Sequence, residues 1–222
     1  NIANTTISLV GTITGTADIA LAGSTTLTTT NNSDVSVPQI TADSLRIGNG
    51  SVLTHGTNSA TINGQSLSIK ITNILTVDEG GSIHSDSRGY ASVAGLSTTV
   101  AGAPGAGTVT SGSSYAIGGS YGGQGGWNGQ ANSTRSEGYG DPYQPTDLGS
   151  GGRGSAGAGT AGGGAIRIQA GSIVNNGRIS SNGLEATSGN YTTAGSGGSV
   201  WITTNSLNGS GDIQTNGGSF TN

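Results

Sequence analysis

The sequence predicts an all-β protein, a parallel β-helix (β-solenoid) carrying a long Gly-rich excursion. Three observations lead there. Isolated aliphatic residues alternate with polar ones along most of the chain, and no stretch keeps a helical period. A 21-residue motif, GGAIRIQAGSIVNNGRISSNG at 163–183, returns without a gap as GGSVWITTNSLNGSGDIQTNG at 197–217, at an offset of 34. The apolar supply is thin: 31% of 222 residues are hydrophobic and 4% aromatic, against 44 Gly. Such a composition cannot fill a thick core, but it suits many short strands that each bury one or two aliphatic residues.

Residues 1–86 read as N-terminal solenoid rungs. Ile7 and Leu9 alternate with polar neighbours, as do Ile19 and Leu21, Val35 and Val37, Leu45 and Ile47, and Leu67, Ile69 and Ile71. The repeat has weaker relatives here. IKITNILTVDEGGSIHSD (69–86) fits it with two extra residues, and LRIGNGSVLTHG (45–56) fits its second half. The common skeleton is a strand, a Gly turn and a second short strand around Val52, Ile83, Ile179 or Ile213. A repeated unit of this size cannot bury its own apolar face, so it stacks on its neighbours.

Residues 87–162 form the Gly-rich excursion. Two readings compete for it: it is mobile, or, because Gly lets backbones approach closely, GGSYGGQGGWNG (118–129) and GSGGRGSAGAGTAGGG (149–164) pack as extended strands side by side. Tyr115, Tyr121, Trp127, Tyr139 and Tyr143 would supply packing there. Residues 163–222 return to solenoid rungs, completing one continuous domain. The offset of 34 places Ile166 on Val200, Ile168 on Ile202 and Ile179 on Ile213 inside. Outside it places Arg167 beside Trp201, Arg178 beside Asp212 and Asn182 over Asn216. The expected core is Ile69, Ile71, Ile83, Ile166, Ile168, Ile179, Val200, Ile202 and Ile213.

Composition also excludes functions. One Lys, six Arg and a net charge of −4 argue against nucleic acid, which needs clustered cations. No apolar run is long enough for a membrane-spanning helix, so no membrane insertion is expected. With no Cys there is no disulfide framework. Abundant Ser, Thr, Asn and Gly with little Lys point to an extracellular or cell-surface location. A start at Asn1 and the absence of Met read as a fragment, a processed product or one repeat unit of a longer protein.

No catalytic constellation emerges. Asp78, Glu79, Asp86, Glu137, Asp141 and Asp147 read as turn and cap residues, because Asp bonds its own backbone in turns. The protein is therefore not expected to be an enzyme and needs no cofactor. Glu137, Asp141 and Asp147 are the oxygen donors on which calcium would draw. His55 and His84 hold related positions after the second strand and have no close second ligand. The Thr run TTLTTT (25–30) lacks the spacing of a repeated Thr ladder, and no P-loop is present. Sequons stand at Asn4, Asn31, Asn49, Asn132, Asn190 and Asn208.

The stretches RGY (88–90), GGSYGGQGG (118–126), YGDPYQPTDLGSGG (139–152), GGGAIRI (162–168) and GSGGSVWIT (195–203) together resemble a module of large, repetitive bacterial surface proteins. These are Gly-rich, β-helix-forming and adhesin-like, and the resemblance spans 67–217. It implies a secreted structural or adhesive role without a fixed ligand site. GGQGGW is also similar to the Gly-rich domain of certain receptor tyrosine kinase ectodomains, whose cysteines this chain lacks. Two functions follow as expectations. One is a building block of a surface stalk, filament or matrix that self-associates into polymer by end-to-end contacts. The other is an adhesin that binds surface glycan through Trp127, Tyr121, Tyr139 and Tyr143.

Overall fold

A computed structural model describes residues 2–3, 5–10, 12–15, 17–30, 38–58, 64–94, 103–106, 108–109, 116–126, 133–154, 159–186 and 193–219. Val35, Val37, Tyr115, Trp127 and the sequons at Asn4, Asn31, Asn132 and Asn190 lie outside them. Within the described residues, period-two alternation becomes strand. The strands are β1 (Ile2–Ala3), β2 (Thr6–Val10), β3 (Ile13–Thr14), β4 (Asp18–Ala22), β5 (Thr26–Thr30), β6 (Ile40–Ile47), β7 (Val52–His55), β8 (Leu67–Val77) and β9 (Ser82–His84). The excursion carries β10 (Val93–Ala94), β11 (Thr108–Val109), β12 (Ala116–Ile117), β13 (Ser133–Thr134) and β14 (Arg153–Gly154). The chain ends in β15 (Ala165–Asn175), β16 (Arg178–Ser180), β17 (Ser199–Asn208) and β18 (Asp212–Gln214). No helix occurs among the described residues.

Two parallel sheets carry the core. One runs β1-β4-β6-β8-β15-β17, with β3 also on β6, and the other runs β2-β5-β7-β9-β16-β18. β8 pairs directly with β15, so the excursion leaves the stack and returns beside its point of departure. The register builds aliphatic columns. Ile40, Ile69, Ile168 and Ile202 form one, and Ile7, Leu27, Leu53, Ile83, Ile179 and Ile213 form another. Parallel strands buried on one face repeat about every 4.8 Å, so each aliphatic side chain rests on the one in the next layer. Within a layer, a turn with Gly50 or Gly80 at positive φ carries the chain from one sheet to the other.

The relation of 69–86 to the repeat needs three extra residues, one more than the sequence suggests. Ile69 faces Ile168, while Ile83 faces Ile179. A bulge in β8 near Thr72–Ile74 takes one residue, and the turn Asp78–Gly81 takes two.

The architecture is not the expected parallel β-helix. The sheets are parallel and stacked, but they stay open and do not close into a coil. The reason lies in the Gly-rich segments. Gly149 donates to Gly163 and accepts from Tyr90, while its neighbour Ser150 exchanges bonds with Ser196. Gly163 in turn donates to Ser196, and Gly162 to Tyr90. A strand in a sheet has two neighbours, whereas the 149–150 segment has three. These segments therefore form a cross-bonded bundle and not a further sheet. β10, β12 and β14 form a separate small sheet with both pairing senses, and β11 pairs antiparallel with β13.

The bundle tolerates only Gly at its contacts. A Cβ on Gly163 would overlap the Ser181 carbonyl oxygen, and one on Gly119 would overlap that of Ser150. Gly126 has open space at the same position. The expected outcome is that Gly163→Ala destabilises by about 1–3 kcal/mol or more, while Gly126→Ala stays within about 0.5 kcal/mol. Ile179→Ala, in the buried column, should cost about 2–5 kcal/mol. Urea unfolding of the three variants checks all of these.

Candidate functional site

Three places on the molecule concentrate chemistry: the uncovered final strands, an aromatic shelf on the outer face of the first sheet, and a buried His layer.

The uncovered strands come from the columns themselves. Ile166, Ile168, Ile173 and Ile179 are fully buried. Their partners one layer on are not. Val200 and Ile202 are half-buried, and Leu207 and Ile213 are 48% and 43% exposed. Ile213 therefore does not belong to the buried core where the sequence placed it. Among the described residues no strand pairs with the outer edge of β17 or β18. At the opposite edge Ile7, Leu9 and Ile13 are likewise only half-buried, and Val10 is exposed.

On the outer face, Arg167 stands opposite Trp201, and its guanidinium carbon lies 4.4 Å from the indole centroid. Such a contact contributes about 0.5–1 kcal/mol at a partly exposed site. Two residues before Trp201, the Ser199 hydroxyl donates to the Asp147 carbonyl at 2.8 Å. The Tyr121 phenol bonds the Ser199 side chain and the Asp147 backbone. The Tyr139 ring meets Tyr121 edge-on, with centroids 5.0 Å apart. The Tyr139 hydroxyl donates to the Leu148 carbonyl and shares a 2.9 Å bond with Ser150. Burial holds both phenols above their ordinary range, Tyr139 the further. Tyr121, Tyr139, Ser199 and Trp201 thus share one region. Tyr143 is 87% exposed on a turn in which Asp141 accepts its amide at 2.8 Å. Trp127 lies outside the described residues.

The acidic residues do not gather. Among the described residues no three of His, Asp or Glu converge as a metal site, so Glu137, Asp141 and Asp147 do not come together as a set of three ligands. Asp86, which the sequence pattern marks only as a turn residue, is the exception in connectivity. Its carboxylate accepts from Arg178 at 3.1 Å, Ser180 at 2.9 Å and the Asn182 amide at 2.6 Å. Arg178 stands opposite Asp212 in register, yet its ion pair is with Asp86 in the earlier layer. Asn182 lies next to Asn216, with its side-chain oxygen accepting the Asn216 backbone amide at 2.7 Å. Asp86 and Asn182 therefore do the same work, each capping an amide one layer on. The sequence signal was available: Gly56, Asp86, Asn182 and Asn216 occupy one corner of successive layers.

His55 is fully buried. Its Nδ1 lies 2.7 Å from the Gly56 carbonyl and must donate there, which leaves Nε2 unprotonated against Gly164. Burial is the main reason its pKa is pushed down to about 3, and the charges of Arg88 and His84 add to it. Burial also lowers His84, against the attraction of Asp86. Between pH 6.5 and about 3 the unfolded chain binds a proton at His55 that the folded chain refuses. Stability should then fall as pH falls through that window, by roughly 1.4 kcal/mol per pH unit for His55 alone. His55→Gln, which cannot titrate, should flatten that slope in urea unfolding measured from pH 7 to pH 4.

Compared with protein-family models, with curated proteins and with solved structures, the chain matches none of them.

Proposed function

We propose that the protein is an extracellular structural building block that self-associates end to end into a stalk, filament or matrix. The observation that carries this reading is the open layer at β17 and β18. There the aliphatic columns end in Leu207 and Ile213, each nearly half exposed, while their equivalents Ile173 and Ile179 are sealed. An open parallel edge offers unpaired backbone groups and apolar side chains together, and proteins that remain single blunt such edges with charge or Pro. Here β17 reads SVWITTNSLN and carries neither.

The occupant we assign is a second copy of the chain. β17 and β18 repeat the pattern of β15 and β16, which already receive a parallel strand of this sequence on that side. The opposite edge presents the half-buried Ile7, Leu9 and Ile13. The scarcity of charge, 8% of residues, leaves little repulsion between copies. The same composition supports the extracellular location.

Sedimentation velocity and negative-stain microscopy over a concentration series test this. The chain should associate with rising concentration and form linear assemblies. Leu207→Lys with Ile213→Lys should keep it monomeric with little change in Tm, because both side chains are already partly exposed. A parent chain that stays monomeric throughout, or a double-Lys variant that assembles equally well, overturns the reading.

A further inference from the structure

We propose that the outer face of β17 is a carbohydrate-binding site, in which Trp201 stacks a neutral pyranose against a wall built by Tyr121 and Tyr139. The floor follows from strand geometry. Val200 and Ile202 pack on the core, so Ser199, Trp201 and Thr203 point outward together. Arg167 covers one indole face from β15. β17 is the last strand of its sheet, so no described strand stands beside the other indole face. That face is the apolar platform.

The wall rises one residue pair away. Ser199 is about 7 Å from Trp201 along the strand, and it anchors both Asp147 and Tyr121. The phenols are already bonded, Tyr121 to Ser199 and Tyr139 to Leu148, so their rings are held in place before any ligand arrives. Beside them the Asp147 side chain is exposed to solvent. A pyranose has one face of C–H groups and a rim of hydroxyls. The negative face of an indole attracts those polarised C–H groups, and the exposed Asp147 and Thr203 are placed at the rim to bond hydroxyls. A few fixed polar groups around an apolar platform is the usual anatomy of a small-ligand site. The Asp147 carboxylate disfavours an acidic sugar, which sets the preference for a neutral one. The site does not depend on end-to-end association. The two compete, because a strand docked on β17 would cover the open indole face.

The test uses the full chain with Trp127→Phe, so that Trp201 is the only indole, at concentrations where it sediments as a monomer. Cellohexaose, chitohexaose and hexagalacturonate are titrated while Trp201 emission is followed, and affinities are measured by calorimetry. A saturable response to at least one neutral hexaose is expected. Trp201→Ala should weaken it about tenfold or more. Asp147→Ala, which removes an exposed side chain outside the core, should weaken it about threefold, and it decides the matter if Trp201→Ala does not fold. No saturable response to either neutral sugar, a response to hexagalacturonate alone, or unchanged affinity in the folded variants overturns the proposal.

Discussion

Everything in this molecule depends on one pairing, the parallel register of β8 with β15. Ile69 faces Ile168 and Leu75 faces Ile173 across a gap of 99 and 98 positions in sequence. That contact joins the layers of the first 86 residues to those after 163. It also fixes where the excursion begins and ends. Once β8 and β15 lie side by side, residues 85–92 and 159–164 are neighbours in space, and the cross-bonds of Gly89, Tyr90, Gly149 and Gly162 follow. Loop closure costs grow only with the logarithm of length, so a long excursion is a small penalty on this register. Its own Gly contacts and buried Ile117 and Leu148 then hold it.

The strands were legible because alternation is a direct imprint of burial on one face. Ile166, Ile168 and Ile179 could be placed in columns because the repeat is gapless and a strand register has no freedom once one pair is set. Closure was not legible. Gly carries no side chain and hence no periodicity, so nothing in GSGGRGSAGAGTAGGG distinguishes a planar strand from a bundle bonded in several directions. The three added residues between Ile69 and Ile83 had the same fate, since a bulge at Thr72–Ile74 leaves both flanking alternations intact. The exposure of Ile213 is a matter of neighbours: its residue type matches Ile179, and only the missing layer separates the two.

Of the candidate site, the Arg167–Trp201 contact was readable from the offset of 34, whereas the approach of Tyr121 and Tyr139 was not. Those rings reach β17 through the fold of the excursion, by way of Ser199 and Asp147. Arg178 shows a related limit. Two carboxylates flank it, Asp212 one layer on and Asp86 near the layer before, and register alone does not rank them. Asp86 wins because Ser180 and the Asn182 amide bond the same carboxylate and hold it in position.

The detached pairing of β8 and β15 also sets a timetable for synthesis. Strands β1 to β9 can stack as soon as they emerge, since each of their layers follows its neighbour closely in sequence. The next layer begins at Ala165, 81 residues after His84. At about 5–20 residues per second the ribosome needs roughly 4–16 s to supply it. Through that interval β8, 11 residues long, is the growing end of the stack and has no cover on one side. Its bulge near Thr72–Ile74 and the charged Lys70 on its outer face interrupt the flat strand there. Both are the features that discourage a nascent edge from pairing with the wrong chain.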